Sequence, residues 1–168
     1  MNPPPNGPAH AYLAALTERL AADGCTVTSP PWRDHSVVAA ARGDRKARWM
    51  GTKVELFVFA SVVPEVDLTT LGEFTGWAMS YAKGLRSGFS GARNAAFVLP
   101  ALVSDRVQPE AAQWAAEDAR LLGTTLIGRP ITVQAVPQAR RVTMYRGGTV
   151  LGGMFTKHVM TKAALYFP

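Results

Sequence analysis

Three basic side chains and a tryptophan lie together in the stretch RGDRKARWM, and these residue types could bind an anion. Arg45, Lys46 and Arg48 supply the cations, and Trp49 follows directly. Cations neutralise phosphate charge, and an exposed aromatic ring can stack on a base. The stretch therefore predicts a surface for an anionic partner, and nucleic acid is one candidate for it.

The last third of the chain is basic throughout. Residues 119–168 hold seven Lys or Arg residues and no Asp or Glu, whereas residues 1–118 hold eleven basic and all twelve acidic residues. Five of the cations complete the candidate binding surface: Arg140, Arg141, Arg146, Lys157 and Lys162. Unpaired charge is costly to bury, so these side chains are expected at the surface. The alternative is a basic surface without a binding role, and the sequence leaves open whether the two basic segments share one face.

A second set of residues could hold a metal ion. The strand-like stretch KVELFVFA contains Glu55, with Lys53 on the same face, and Asp34 and Asp44 precede it. Carboxylates are the ligands that hard divalent cations prefer. The sequence alone does not show whether either aspartate can join Glu55 at one metal.

The order helix, three strands, helix, strand over residues 9 to 104 resembles the core of the restriction-endonuclease-like nucleases, the PD-(D/E)XK superfamily. In that family an acid near the second strand and a Glu-x-Lys on the third hold a divalent metal, and the lysine helps to activate water. The resemblance maps the third-strand carboxylate onto Glu55, the first acid onto Asp34 or Asp44, and the lysine position onto Phe57. It implies a nucleic-acid-binding protein of degenerate nuclease-like fold, or an active metal-dependent nuclease.

Other catalytic motifs are incomplete. Ser87 and Ser90 in SGFSGAR match no phosphate-binding loop, and Cys25 has no identifiable base beside it. His158 is expected to lie partly exposed on the last helix. We therefore predict no catalytic residue, no metal ligand and no cofactor, and the sequence favours a binding domain over an enzyme.

Length and composition predict one packed domain. The chain has 168 residues, of which 48% are hydrophobic and 18% charged, which is enough for one core and too short for two. No apolar run of about 18 residues predicts a membrane span, and the stretch MNPPPNGPAH lacks the character of a secretion signal. With a single cysteine, Cys25, a cytoplasmic location is expected.

Hydrophobic periodicity and turn residues predict an α/β (α+β) domain over residues 9–168, after a disordered arm over residues 1–8. The predicted order is α-βββ-α-β-α-ββ-α, with a mixed sheet flanked by helices. KVELFVFASVV is expected at the centre of the sheet, and Pro100 is expected to interrupt the pairing of AAFVLPALVSD. The stretch PEAAQWAAEDARLLG is predicted to be one helix that ends at Gly123.

One predicted helix carries small residues at every fourth position. Gly72, Gly76, Ser80 and Gly84 form this stripe, which is expected to let a sheet or a second helix approach closely; a ligand lying against it is the alternative. The element order is also similar to secretion-chaperone-like folds, which dimerise or present a groove to a peptide. We therefore expect a protein-interaction or assembly module, with a protein partner or a second copy of the chain, and nucleic acid or another anionic ligand as the alternative.

Overall fold

A computed structural model describes residues 3–86, 94–122, 126–149 and 152–168. Within these residues the chain forms four α-helices and ten strands. The helices are α1 (Pro8–Ala22), α2 (Leu68–Leu85), α3 (Pro109–Glu117) and α4 (Thr156–Tyr166). The strands are β1 (Thr26–Thr28), β2 (Pro31–Trp32), β3 (His35–Ser36), β4 (Val38–Arg45), β5 (Lys53–Val62), β6 (Asn94–Ser104), β7 (Arg120–Leu122), β8 (Leu126–Gly128), β9 (Ile131–Gln134) and β10 (Arg141–Met144).

Eight of these strands form one mixed sheet, which confirms the predicted fold class of a single α/β domain. The path runs β1-β4-β5-β6-β8-β7, with β9 also paired to β6 and β10 paired to β9. β5, β6, β8 and β9 are parallel, and β1, β4, β7 and β10 join antiparallel. We call the end of the sheet at which β5 and β6 begin the lower end, and the end at which they stop the upper end. β2 and β3 form a separate hairpin.

β5 lies in the centre of the sheet, as its apolar sequence predicts. Its residues from Val54 onward are buried on both faces, because helices cover both sides. One face carries Leu56 and Val58 and packs against α1 and α4. The other carries Phe57 and Phe59 and packs against α2 and α3. Successive side chains along β5 or β4 therefore alternate between the layer of α1 and α4 and the layer of α2 and α3.

Pro100 interrupts the pairing of β6 on one side, as predicted. Toward β5 the parallel register is continuous, and Pro100 lies opposite Phe59. On the other side β8 pairs with residues 96–98 and β9 pairs with residues 101–104 of β6. The break falls at Arg129 and Pro130, where the Arg129 N–H donates to Val98 O at 2.9 Å. The fifth position of the sheet is thus occupied by two short strands in succession.

The prediction of one helix from Pro109 to Gly123 is wrong. α3 ends at Glu117, Asp118 is extended at φ −165°, and Arg120–Leu122 forms β7 against β8. The sequence ARLL is compatible with a helix in isolation, but pairing with β8 satisfies its backbone groups instead. Gly123 lies outside the described residues, as do Ser87 and Ser90.

The small-residue stripe of α2 does not support close internal packing, so that expectation is wrong. Gly76, Ser80 and Gly84 are exposed, and a Cβ added at Gly72, Gly76 or Gly84 would have no atom within 4 Å. The buried side of α2 is formed instead by Leu71, Phe74, Ala78 and Met79 with their neighbours. Asp67 caps its first turn, because Asp67 Oδ1 accepts from Thr70 N at 2.7 Å.

The segment before α1 is ordered by a turn, and the described helices are not of the membrane-spanning type. Residues 3–7 form a turn ahead of α1, in which Gly7 N donates to Pro4 O at 2.9 Å. Among the helices that the structure describes, none combines the length and the apolar character that crossing a bilayer requires.

The Gly76→Ala variant is expected to be more stable than the wild type by about 0.5–1 kcal/mol, because alanine restricts the unfolded chain and meets open space in the helix. Urea denaturation followed by circular dichroism measures this. Gly24→Ala is the matched control: Gly24 has φ +83°, so the same methyl group strains the folded chain and lowers its stability. A loss of stability in Gly76→Ala would show that the stripe is packed against something.

Candidate functional site

Part of the predicted binding surface lies at the lower end, where the chain leaves β4 and where α4 begins. Arg45 ends β4, and a 3-10 turn over Ala47–Trp49 follows it. Arg45 is fixed by donation from Nη1 to Gly51 O at 3.0 Å. Lys157 lies in the first turn of α4. We call Arg45, Lys46, Arg48 and Lys157, all of which are exposed, the basic end.

Trp49 holds this surface together from beneath. Its ring is 3% exposed and makes edge contacts with Phe155, at 5.5 Å between centroids, and with His158, at 4.9 Å. Lys46 Nζ and Arg48 Cζ lie 5.2 and 5.8 Å from its centroid, within reach of a cation–π attraction. A buried ring cannot stack on a base, so the expectation of an exposed aromatic beside these cations is wrong. Trp49 instead connects the turn after β4 to the start of α4.

Two methionines that the sequence reasoning missed stand beside the cations. Met50 follows Trp49 and is 81% exposed, and Met154 precedes Phe155 and is 65% exposed. Because the rings of Trp49 and Phe155 touch, both methionines belong to the lower end. The only earlier signal was their position next to aromatic residues, which does not separate an exposed methionine from a core one.

Lys162 belongs to an internal network and not to the exposed basic surface. Its Nζ lies 2.8 Å from Asp23 Oδ2, and its side chain is 16% exposed. The same Asp23 oxygen accepts from Arg42 Nη1 and from the Tyr166 hydroxyl, each at 2.5 Å. Asp23 therefore joins the end of α1 to β4 and to α4. Burial tends to raise the pKa of Asp23, but the hydrogen bonds from Lys162 and Tyr166 and the charge of Arg42 outweigh it and hold the pKa below its usual value.

Asp44 extends this network to the basic end. Its carboxylate accepts from Arg42 Nε at 2.9 Å and from Arg42 Nη2 at 2.7 Å, and His158 Nε2 lies 3.2 Å from Oδ2. His158 is 6% exposed, so the expectation of a partly exposed histidine is wrong. Burial lowers the pKa of His158, and Lys46 and Lys162 add to this effect while Asp44 opposes it. A neutral His158 thus packs between Asp44 and Trp49 at neutral pH.

The cations of the second predicted segment lie elsewhere. Arg140 follows β9, whose last residue pairs with Ser104 at the upper end, while Arg45 pairs with Lys53 at the lower end. The ten residues of β5 separate the two ends, about 30 Å at strand spacing. Arg140 and Arg141 point to opposite faces of the sheet. Arg140 lies 5.7 Å from the Tyr12 ring of α1. Val142 packs on that same side, so its neighbour Arg141, which pairs with Gln134, points to the other side. Arg146, exposed, follows β10 between the two ends.

The acids that could join Glu55 at a metal do not converge on it. Asp44 faces α4, while Glu55, one register step away opposite Gly43, faces α2. Asp34 is 81% exposed on the β2–β3 hairpin, which is joined to the upper end where Ser61 Oγ donates to Ser36 O. Among the described residues there is no group of three His, Cys, Asp or Glu side chains placed to hold a metal ion.

Glu55 is instead flanked by cations on the α2 face. Lys53 Nζ lies 3.5 Å from Oε1, and Arg86 Nε lies 3.7 Å from Oε2. Lys53 therefore shares a face with Glu55, as predicted. Lys53 and Glu55 border an open cleft of about 340 Å³, which Leu85 at the end of α2 also lines.

Neither a scan against models of known protein families nor a search of curated proteins finds a match for this chain. What the chain binds has to be inferred from its own side chains.

Asp23→Asn is expected to lower the free energy of unfolding by about 2 kcal/mol, because Arg42, Lys162 and Tyr166 all lose their charged acceptor. Thermal and urea denaturation measure the change. Asp34→Asn is the matched control, and its exposed side chain should leave stability within about 0.5 kcal/mol. Equal effects of the two substitutions would contradict the central role of Asp23.

The stability of the protein is expected to fall on acidification from pH 6.5, the ordinary pKa of histidine. The folded chain holds the pKa of His158 below that value, so the unfolded chain takes up the proton first and unfolding is favoured as the pH falls toward the folded-state pKa. Asp23 and Asp44, with lowered pKa values, add a second loss below the ordinary carboxyl value of 3.8. The free energy of unfolding, measured by urea denaturation at a series of pH values, gives the pH profile of stability. His158→Gln should remove the loss of stability that begins near pH 6.5 and keep the loss below pH 3.8. An unchanged profile would contradict this assignment.

Proposed function

We propose that this protein is a non-catalytic interaction domain that binds an acidic segment of a partner protein through the basic end. The observation that carries the proposal is the combination at the lower end of four exposed cations with two methionines that are 81% and 65% exposed. Two segments that lie about a hundred residues apart in the sequence build this surface, and the buried Trp49 joins them.

The charge of the basic end calls for an anionic partner. Among the described residues, no ion pair includes Arg45, Lys46, Arg48 or Lys157. Asp44, which precedes Arg45 in the sequence, already accepts two hydrogen bonds from Arg42. No acid in the described part of the chain therefore neutralises the four cations, and they would steer an acidic segment toward this end.

The methionines favour a protein over a nucleic acid. Methionine is flexible and polarisable, and exposed methionines adapt to apolar side chains of a peptide. A nucleic-acid surface would use an exposed aromatic ring, whereas Trp49 is buried. It would also gain from a continuous track of cations, but Arg140 and Arg141 lie at the other end of the sheet.

Binding without catalysis agrees with the placement of the acids. Asp44 and Glu55 lie on opposite faces of the sheet, so the nuclease-like metal arrangement that the sequence resemblance implies would need a different pair. The relationship to restriction-endonuclease-like proteins stays a hypothesis about the fold. We also propose a cytoplasmic location, supported by the single thiol of Cys25, which forms no disulfide.

A fluorescent peptide in which glutamates alternate with leucines should bind the wild type with an affinity that falls steeply as salt rises from about 50 to 200 mM. Anisotropy titrations measure this. Replacement of Lys46, Arg48 and Lys157 by alanine should weaken binding by about tenfold or more. The matched control removes the same charge elsewhere, with the exposed Arg106, Arg141 and Arg146 replaced by alanine, and should bind as the wild type does.

A second variant separates the two classes of partner. Replacement of Met50 and Met154 by serine should weaken peptide binding and leave its salt dependence unchanged. Short single- and double-stranded DNA and RNA are titrated in parallel. If nucleic acid binds more tightly than the peptide and the serine variant binds it normally, nucleic-acid binding replaces the proposal. Equal binding by both charge variants, or no peptide binding at low salt, would refute it.

A further inference from the structure

A second cleft lies between α1 and the segment that follows β9. Residues 8, 11, 12, 15 and 19 line it from one side of α1, at the three- and four-residue steps that share a helix face. Ala135, Pro137 and Arg140 form the opposite wall. The cleft has a volume of about 240 Å³, which is enough for a small organic molecule. It lies apart from the basic end, on the side of α1 that faces away from β4.

Two buried donors in this cleft have no acceptor. Tyr12 is 6% exposed, and its hydroxyl lies against the Arg19 side chain, which can only donate, so the hydroxyl proton has no acceptor among the described residues. Arg19 donates from Nε to Tyr166 O at 2.9 Å, but its Nη2 is also buried without a hydrogen-bond partner there. Buried polar groups in folded proteins are nearly always satisfied. Two unsatisfied donors side by side indicate that an acceptor from outside the chain belongs between them.

The charges of the cleft define the kind of acceptor. The guanidinium carbons of Arg19 and Arg140 each lie 5.7 Å from the Tyr12 ring centroid. Burial raises the pKa of the Tyr12 hydroxyl and the two arginines only partly oppose this, so the phenol keeps its proton at neutral pH and can donate it. A hydroxyl and two guanidinium groups offer donors and positive charge, which an anionic oxygen acceptor would satisfy.

The walls of the cleft limit what carries that anion. Ala11, Ala15, Ala135, Pro8 and Pro137 present aliphatic groups to it. Such walls favour an apolar body, and they solvate a doubly charged phosphate poorly. A planar, singly charged carboxylate can accept from Tyr12 and Arg19 with its two oxygens while the body lies against the alanines and prolines.

We propose that this cleft binds a small carboxylate with an apolar body, held by Tyr12, Arg19 and Arg140. Both a free carboxylic acid and the C-terminal carboxylate of an apolar peptide have this chemistry. The site is independent of the basic end, so the proposal stands or falls separately from the proposed function.

Calorimetric titration of the full chain with hexanoate and benzoate tests the proposal, with hexanamide and benzamide as uncharged controls of the same shape. The acids should bind and the amides should not. A tripeptide of apolar residues with a free C-terminus, compared with its amidated form, distinguishes the second source of the carboxylate. Binding of the tripeptide alone assigns the cleft to chain ends, and binding of the small acids assigns it to free ligands; both outcomes support the site.

Tyr12→Phe is the decisive variant because it removes only the unsatisfied hydroxyl. The variant should keep a melting temperature close to that of the wild type, since the hydroxyl proton has no acceptor among the described residues and only the contact with Arg19 is lost, and it should bind the carboxylate about tenfold more weakly. Arg140→Ala should weaken binding similarly, and Arg141→Ala, on the opposite face of β10, is the matched control and should not.

Three results would overturn the proposal. Equal binding of acid and amide would remove the role of charge. Wild-type affinity in Tyr12→Phe, or no binding by any carboxylate at millimolar concentration, would remove the site. Inorganic phosphate binding as tightly as the carboxylates would overturn the ligand class.

Discussion

The carboxylate of Asp23 is the interaction on which the arrangement of the α1 and α4 layer depends. One oxygen accepts from Arg42 on β4 and from Lys162 and Tyr166 on α4, while Asp23 itself ends α1. Two elements from the first third of the chain and one from its last part thus meet at one charge. Since Arg42 is held by Asp23 and Asp44 together, the network places two negative and two positive side chains at a partly buried junction, and their mutual hydrogen bonds offset the cost of desolvating them.

A chain of contacts from this junction positions the basic end. Asp44 contacts His158, His158 contacts Trp49, and Trp49 supports Lys46 and Arg48. A cationic surface on mobile loops would lose conformational entropy on binding, whereas one mounted on a packed ring and a helix start is pre-organised. The two lysines of α4 therefore have different roles. Lys162 stabilises the interior, and Lys157 is left for solvent or a partner.

The sequence predicts the layers of this fold better than it predicts the sites. β5, the cap at Asp67 and the interruption at Pro100 follow from local rules, since apolar runs, a side-chain cap and a missing N–H act within a few residues. Two predictions are wrong, the extension of α3 to Gly123 and the close packing of the small-residue stripe of α2. Each depends on which element lies next to the helix, and the local sequence carries no information about that. The positions of Trp49, Lys162 and His158 depend on contacts about a hundred residues away, and a pattern of residue types carries no information about which cation finds an acid.

The break at Arg129 and Pro130 divides one margin of the sheet into two short ribbons. β7 and β8 extend β6 over its lower half, and β9 and β10 extend it over its upper half. Among the described residues, no strand of one ribbon is paired with a strand of the other, and each ribbon is paired to β6. One ribbon can therefore fray while the other stays paired. Amide protons of β5 and β6 at the centre should then be protected for longer than those of either ribbon. The margin of the sheet consequently behaves as two small cooperative units, so a deletion or an insertion in one half perturbs the other only through the shared central strand.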